Sequence, residues 1–382
     1  MDFPELRAST PATSNMTYLN AGWAGPSPDA VVERMREAAA RESAGGPAGP
    51  EGHAYVREIE ASTLAEAATM LRVSPDDVLL THGTTEGVNI AMGGLAWEPG
   101  DTLLTSGLEH PGIKTPSTLL GDRRGVNIHT LDLSPTASAD ECVTAFRAAL
   151  TPNVKLVALS HVMYTCGLRI PAKEIVEAAH EAGALVLLDG AQTAGHIALD
   201  LTDMGVDFYA TSGQKWLGGP GGTGAFYVRP DRRDGLIPQF RAPGLDFTEG
   251  FALYSFASLG APDRAGYGEA VRLHNALGSA NVESHNMALA THLREELAKI
   301  DGVSFTGPTS GSTATAITTI AVHDWHGGWD APAFSEALWE RHRLVARNVL
   351  HPDGVRLCTA AFNDASDVEA AVVAIKALVG TL

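Results

Sequence analysis

From about residue 54 to residue 230, short apolar runs alternate with stretches whose apolar residues recur at helical spacing. Residues 53–71 carry the helical period, and Ser74-Pro75-Asp76-Asp77 closes them as a turn. Residues 78–81 read as a buried strand, after which Gly83-Thr84-Thr85-Glu86 opens a helix reaching residue 92. Strands follow at 102–106, 128–131 and 155–160, with a helix over 141–150 before the last. A helix at 175–182 leads to the apolar run 184–188, which ends in Asp189, and 208–211 and 224–228 read as the last strands. Runs of this kind alternating with helices predict an α/β fold whose mainly parallel sheet is covered on both faces. In such sheets ligands bind at the carboxyl ends of the strands. Polar clusters stand just after the strands: Thr84-Thr85, Glu109-His110, Asp189-Gly190-Ala191-Gln192 and Ser212-Gly213-Gln214-Lys215. One shared site is expected there.

Beyond this region the pattern changes. Residues 230–250 are irregular and rich in Pro and Gly, a crossing between domains. Long helices over 271–300, then 316–322, 331–341, 355–359 and 367–378, predict a smaller α+β domain. The expected division is a large domain over 18–250 and a small one over 251–382, joined by the N-terminal segment 1–17. A chain of 382 residues is long enough for two or three domains. Its net charge of −18 argues against nucleic acid or an anionic membrane as partner, since both need clustered Lys and Arg. Three cysteines (Cys142, Cys166, Cys358) make no disulfide framework and no CxxC pair. No signal-peptide core and no apolar run of membrane-spanning length is present, so a cytoplasmic location is expected. No metal site is expected either.

The strongest local feature is TSGQKWLGGPGGTG at 211–224. A lysine between a strand and a glycine-rich turn is either a surface residue or one lying against a ligand, where glycine lets the backbone approach. Desolvated, its amine can be neutral near pH 7 and form an imine with an aldehyde. Asp189 ends a fully apolar strand 26 residues earlier. A carboxylate there either caps the next helix or pairs with a cation, and a pyridinium nitrogen would be such a cation. Gly83-Thr84-Thr85-Glu86 at a helix start suits a phosphate, though Thr is also an ordinary N-cap. His110 is either structural or able to stack on an aromatic ligand.

The order THGTTEG, EHPG, SHV, DGAQ, SGQKWLGGPGGTG and GVRLCTAAFN resembles the class V aminotransferase-fold enzymes, fold-type I pyridoxal-phosphate proteins related to cysteine desulfurases. The resemblance spans about residues 17–378. EHPGI, the Lys-Trp pair and RNVLHPDGVR are most similar to cystine and cysteine-conjugate C–S lyases. It implies a seven-stranded, mainly parallel sheet, a homodimer, and pyridoxal 5'-phosphate as cofactor. Lys215 would be the Schiff-base lysine, Asp189 the partner of the pyridine nitrogen, and Gln192 a donor to the phenolic oxygen. Thr84, Thr85 and Ser212 would hold the phosphate, with help from Gln214, and His110 would stack on the ring. Arg356 would bind the substrate α-carboxylate and Arg347 a second carboxylate, a task suited to a planar guanidinium.

The departures are informative. Gln214 stands where the family more often has His, and cannot titrate. Tyr164 replaces a common Asn, and Trp23 follows Asn20-Ala21-Gly22, which usually borders substrate; both reshape the pocket. Arg264-Ala265-Gly266-Tyr267-Gly268 replaces a run where the partner subunit touches phosphate. Desulfurases carry a nucleophilic cysteine in the loop before the C-terminal arginine strand, and residues 340–355 contain none. The expected activity is therefore a C–S β-lyase on L-cysteine, cystine or a cysteine S-conjugate, giving thiol or persulfide, pyruvate and ammonia. The alternatives are an epimerase, aminotransferase or decarboxylating enzyme of the isopenicillin-N epimerase kind, or a non-enzymatic binding module.

Overall fold

The computed structural model describes residues 1–239, 253–254, 260–323, 325 and 328–380. Strand β1 (Thr17–Tyr18) precedes the strands of one large sheet: β2 (Val78–Thr81), β3 (Thr102–Ser106), β4 (Asn127–Leu131), β5 (Val154–Ser160), β6 (Leu185–Asp189), β7 (Phe208–Ala210) and β8 (Gly224–Val228). Their spatial order is β2-β8-β7-β6-β5-β3-β4. Strand β8 runs antiparallel to β2 and β7, and every other pairing is parallel. Because β8 reverses direction on both sides, β2 points the same way as β7. All the strands except β8 therefore end on one edge, and the segment leading into β8 starts from that edge too.

The sheet is buried on both faces, as its apolar runs require. Val157, Leu159, Val186, Leu188 and Tyr209 enter one core, with Phe146, Ile175, Val176 and Val271 from covering helices. Their alternating neighbours Leu156, Ala158, Leu187, Phe208 and Phe226 enter the other, with Val88, Met92, Ile113 and Leu120.

The C-terminal part contributes β9 (Val303–Phe305), β10 (Ile317–Val322), β11 (Leu344–Val345), β12 (Arg347–Leu350) and β13 (Asp353–Cys358). An antiparallel sheet of order β12-β13-β10-β9 shares a separate core with Leu293, Leu297, Phe334 and Ile375. The N-terminus belongs to this neighbourhood: β1 pairs in parallel with β11, and Arg7 bridges to Asp367 at 2.5 Å and to Asp364 at 2.9 Å.

Among the described residues, two long helices lie where no helix is expected, Asp29–Gly45 and Pro111–Arg124, besides the short ones Phe3–Ala8 and Leu201–Met204. Helix Ala261–Leu277 packs across the first of these and across Pro50–Leu71. A Cβ on Gly266 would meet Met35 Cγ at 2.5 Å, and one on Gly268 would meet Thr63 Oγ1 at 2.5 Å. Residues 264–268 thus sit mid-helix in a close intrachain packing. Of the expected crossing, Pro230–Gly235 is a 3-10 turn, while 240–250 and the boundary at 250/251 lie outside the described residues.

Candidate active site

The shared strand edge opens into a cleft of about 340 Å³ lined by Thr84, Thr85, His110, Asp189, Gln192, Ser212, Gln214 and Lys215. Trp23, Tyr164, Arg347 and Arg356 complete its wall. Asn20 stands behind Arg356 and accepts from its Nη2 at 3.2 Å. The structure thus brings every candidate residue to one place.

Each position follows from local structure. Gly83 precedes helix Thr84–Gly94 at φ 140°, a conformation that favours glycine, and provides no side-chain cap. Of the first N–H groups of the helix, that of Thr84 donates to Ser212 Oγ at 3.4 Å and that of Glu86 to Gly83 O at 3.2 Å. Thr84 and Ser212 place their hydroxyls 2.5 Å apart beside that helix start. His110 is the N-cap of helix Pro111–Arg124, its Nδ1 accepting from Gly112 N at 2.9 Å, so its hydrogen lies on Nε2. Its ring meets Tyr164 edge-on, with centroids 5.0 Å apart. Burial, then the charges of Lys215, Arg347 and Arg356, push His110 down to about 4, which leaves it neutral at physiological pH.

Asp189 closes β6 in full burial, with one bond from Ala191 N at 2.8 Å. Burial raises its carboxyl above the usual range, against the opposing pull of Lys215. Burial lowers the Lys215 amine to about 8; Asp189 opposes this, and the charges of Arg356 and Arg347 add to it. Arg356 is fully buried and donates to Tyr164 O at 2.6 Å. It is the direct cross-strand partner of Arg347 in the β12–β13 ladder. Arg347 in turn lies flat on Trp23, its guanidinium carbon 3.3 Å from the ring centroid. Among the described residues neither arginine has a carboxylate partner. Like charges placed opposite each other in a sheet repel, and an anion between the two guanidinium groups would relieve that repulsion.

These open valences fit pyridoxal 5'-phosphate. An uncapped helix start with two hydroxyls suits the phosphate, and a buried unpaired carboxylate suits a pyridinium. A depressed lysine suits the aldehyde. The buried Gln214 Oε1, without a partner, faces the same space.

Sequence reasoning assigned no role to several contributors. Gly22, Ala24 and Ala191 line the cleft through backbone, and carry no side-chain chemistry to detect. Trp216 Nε1 donates to Gln192 Oε1 at 2.9 Å; its adjacency to Lys215 was the available signal. Glu109 is buried beside the cleft and accepts from Ser106 Oγ and from Ser160 N and Oγ. Burial raises its carboxyl to about 7 against those bonds. Its place next to His110 pointed to it without giving a reason.

The sequence matches the Aminotransferase class-V family over residues 17–337. A probable cysteine desulfurase of Pseudomonas aeruginosa is 30% identical over 398 residues, covering 96% of this chain and 94% of its own. A probable cysteine desulfurase of Methanothermobacter thermautotrophicus is 30% identical over 317 residues, 79% of this chain and 78% of its own. Among solved structures, the cystine C-S lyase C-DES in complex with cysteine persulfide superposes with a TM-score of 0.88 at 24% identity, over 96% of this chain and 99% of its own. The apo cysteine desulfurase of Thermococcus onnurineus reaches 0.89 at 22% identity, over 99% and 98%. Those two likenesses establish the fold, and the sequence match establishes the kinship: the chain belongs to the class-V aminotransferase family of pyridoxal 5'-phosphate enzymes, alongside the cysteine desulfurases.

Proposed function

We propose that the protein is a C–S β-lyase that cleaves L-cysteine, cystine or a cysteine S-conjugate. The observation that carries this reading is a cleft with two unneutralised arginines and no thiol of its own. All three cysteines are buried. Burial raises Cys142 and Cys166 to about 11, and it raises Cys358 as well. Arg347 and Arg356 are joined by a tight hairpin, β12 to β13, rather than by a long loop that could carry a nucleophile.

Thr84, Thr85 and Ser212 would hold the cofactor's phosphate, and Asp189 would keep the proton on its ring nitrogen. His110 would lie against the ring, and Gln192 would donate to its phenolic oxygen. Bound in this way, pyridoxal 5'-phosphate supplies an electron sink for a carbanion beside the substrate's amino group. Arg356, held rigid by Asn20 and the Tyr164 carbonyl, receives the α-carboxylate. Lys215, depressed towards neutral, takes the α-proton at Nζ. The neutral His110 adds no positive charge that would oppose it. Arg347, braced on Trp23, receives a distal carboxylate such as the second one of cystine. The overall change balances without an oxidant: L-cysteine and water give hydrogen sulfide, pyruvate and ammonia, while cystine gives cysteine persulfide instead of sulfide.

Assays of the purified holoenzyme with cysteine, cystine and S-conjugates should release pyruvate with thiol or persulfide in equal amounts. Absence of both from every substrate would refute the proposal. Appearance of α-deuterium in heavy water, carbon dioxide or an aldehyde would point to the epimerase, transaminase or decarboxylase alternatives. On the family resemblance, the working form is proposed to be a cytoplasmic homodimer, which light scattering after size-exclusion chromatography would test.

A further inference from the structure

Gln192 stands in the cleft beside Asp189 and Lys215, and its amide is oriented by a group that can only donate. An indole N–H has no lone pair to offer, so Trp216 Nε1 at 2.9 Å fixes the Gln192 atom facing it as the oxygen. The nitrogen must then point the other way, where it gives one hydrogen to Gly22 O at 2.8 Å. One amide hydrogen remains, and among the described residues nothing accepts it. The indole is itself immobilised. It stacks on His196 with centroids 3.8 Å apart and planes 8° from parallel. His196 Nε2 accepts from Ala316 N at 3.0 Å, so Nδ1 carries the hydrogen given to Gln192 O at 2.7 Å. Reversing the amide would oppose two donors at the indole and two acceptors at Gly22.

We propose that Trp216 is a positioning residue for the cofactor. By holding Oε1 it aims the remaining amide hydrogen of Gln192 at an anionic oxygen on the group that Lys215 binds. Trp216 follows Lys215 directly in the chain, so the residue that bonds the cofactor and the residue that aims its donor share one backbone segment. The inference concerns the bound cofactor alone and stands whichever bond of the substrate breaks.

Trp216→Phe removes the N–H together with one ring of the indole and leaves an aromatic face for His196. The readout is the pH midpoint of the holoenzyme's visible absorption band, measured without substrate. A hydrogen bond to the cofactor's phenolic oxygen stabilises its negative charge, so the lysine-linked nitrogen loses its proton at lower pH. The midpoint should rise by about half a unit or more in Trp216→Phe and in Gln192→Leu. In the double variant it should rise no further than in Gln192→Leu alone, because one residue acts through the other. An unchanged midpoint in Trp216→Phe, or additive shifts in the double variant, would overturn the proposal. If Trp216→Phe does not fold, β-(3-benzothienyl)alanine at position 216 preserves the bicyclic shape without an N–H, and an unchanged midpoint there overturns it equally.

Discussion

Lys215 illustrates how far a single residue could be read. Its place between a strand and a glycine-rich turn pointed to a ligand, but its depressed basicity arises from residues distant in sequence. Burial acts first, and then Arg356 and Arg347 disfavour the protonated amine. The sign gives a prediction. Cofactor-free protein should capture pyridoxal 5'-phosphate at a rate that rises through about pH 8, because only the neutral amine attacks. Arg356→Leu removes a positive charge, so the amine should hold its proton to higher pH and the midpoint should move up. Stopped-flow rates against pH, on both proteins, would show it; an unmoved midpoint would mean burial alone sets the value. Thr84, Thr85, His110, Asp189, Gln192, Ser212, Gln214 and Lys215 were legible because they follow strand ends, whereas Asn20, Trp23, Tyr164, Arg347 and Arg356 entered through the family resemblance. Trp216 and Glu109 stood in motifs but received no role, because their bonds to Gln192 and to Ser160 cross 24 and 51 positions of sequence.

At the scale of elements, strands were easier to read than helices. Strands β2, β3 and β8 fall on their expected limits, since turn-forming Gly, Pro or Asp residues lie close on both sides of each short run. Helix Asp29–Gly45 escaped because it buries only Val31 and Ala38, leaving a weak apolar stripe; its Ala, Arg and Glu content was the overlooked cue. Helix Pro111–Arg124 escaped because Pro111, Gly112 and Pro116 read as breakers. Pro111 sits at the first helical position, where no N–H is needed. The glycines of helix Ala261–Leu277 show the opposite case, residues that favour turns used for close packing. Gly268→Val places new methyls against Thr63, and overpacking of this kind costs about 1–3 kcal/mol. The urea midpoint should fall accordingly with an unchanged slope.

Across the whole molecule, the N-terminal segment ties the two sheets together. It pairs with β11, places Asn20 under Arg356, and gives Gly22 O to Gln192. This segment is expected from the sequence to join the domains, but its contacts pair residues 170 and 336 positions apart, which no local pattern specifies. Arg7 anchors its beginning on the buried Asp367. Arg7→Ala should cost about 1.5–3 kcal/mol, the worth of hydrogen bonds to a charged group. It should also raise KM more than it lowers kcat, because the segment braces the arginine that receives the carboxylate. Thermal denaturation with steady-state kinetics checks both.

The burial of every cysteine bears on where sulfur travels. A lyase with no reachable thiol cannot store a sulfur atom between turnovers or pass it across a protein–protein contact. Under the proposed lyase activity, sulfur would depart as a diffusible small molecule, at a rate set by the catalyst rather than by the arrival of an acceptor. Iodoacetamide treatment of the native holoenzyme should therefore leave turnover intact, and an added sulfur acceptor should not accelerate pyruvate release. The protein would feed a dissolved pool of sulfide or persulfide, open to any acceptor in the same compartment.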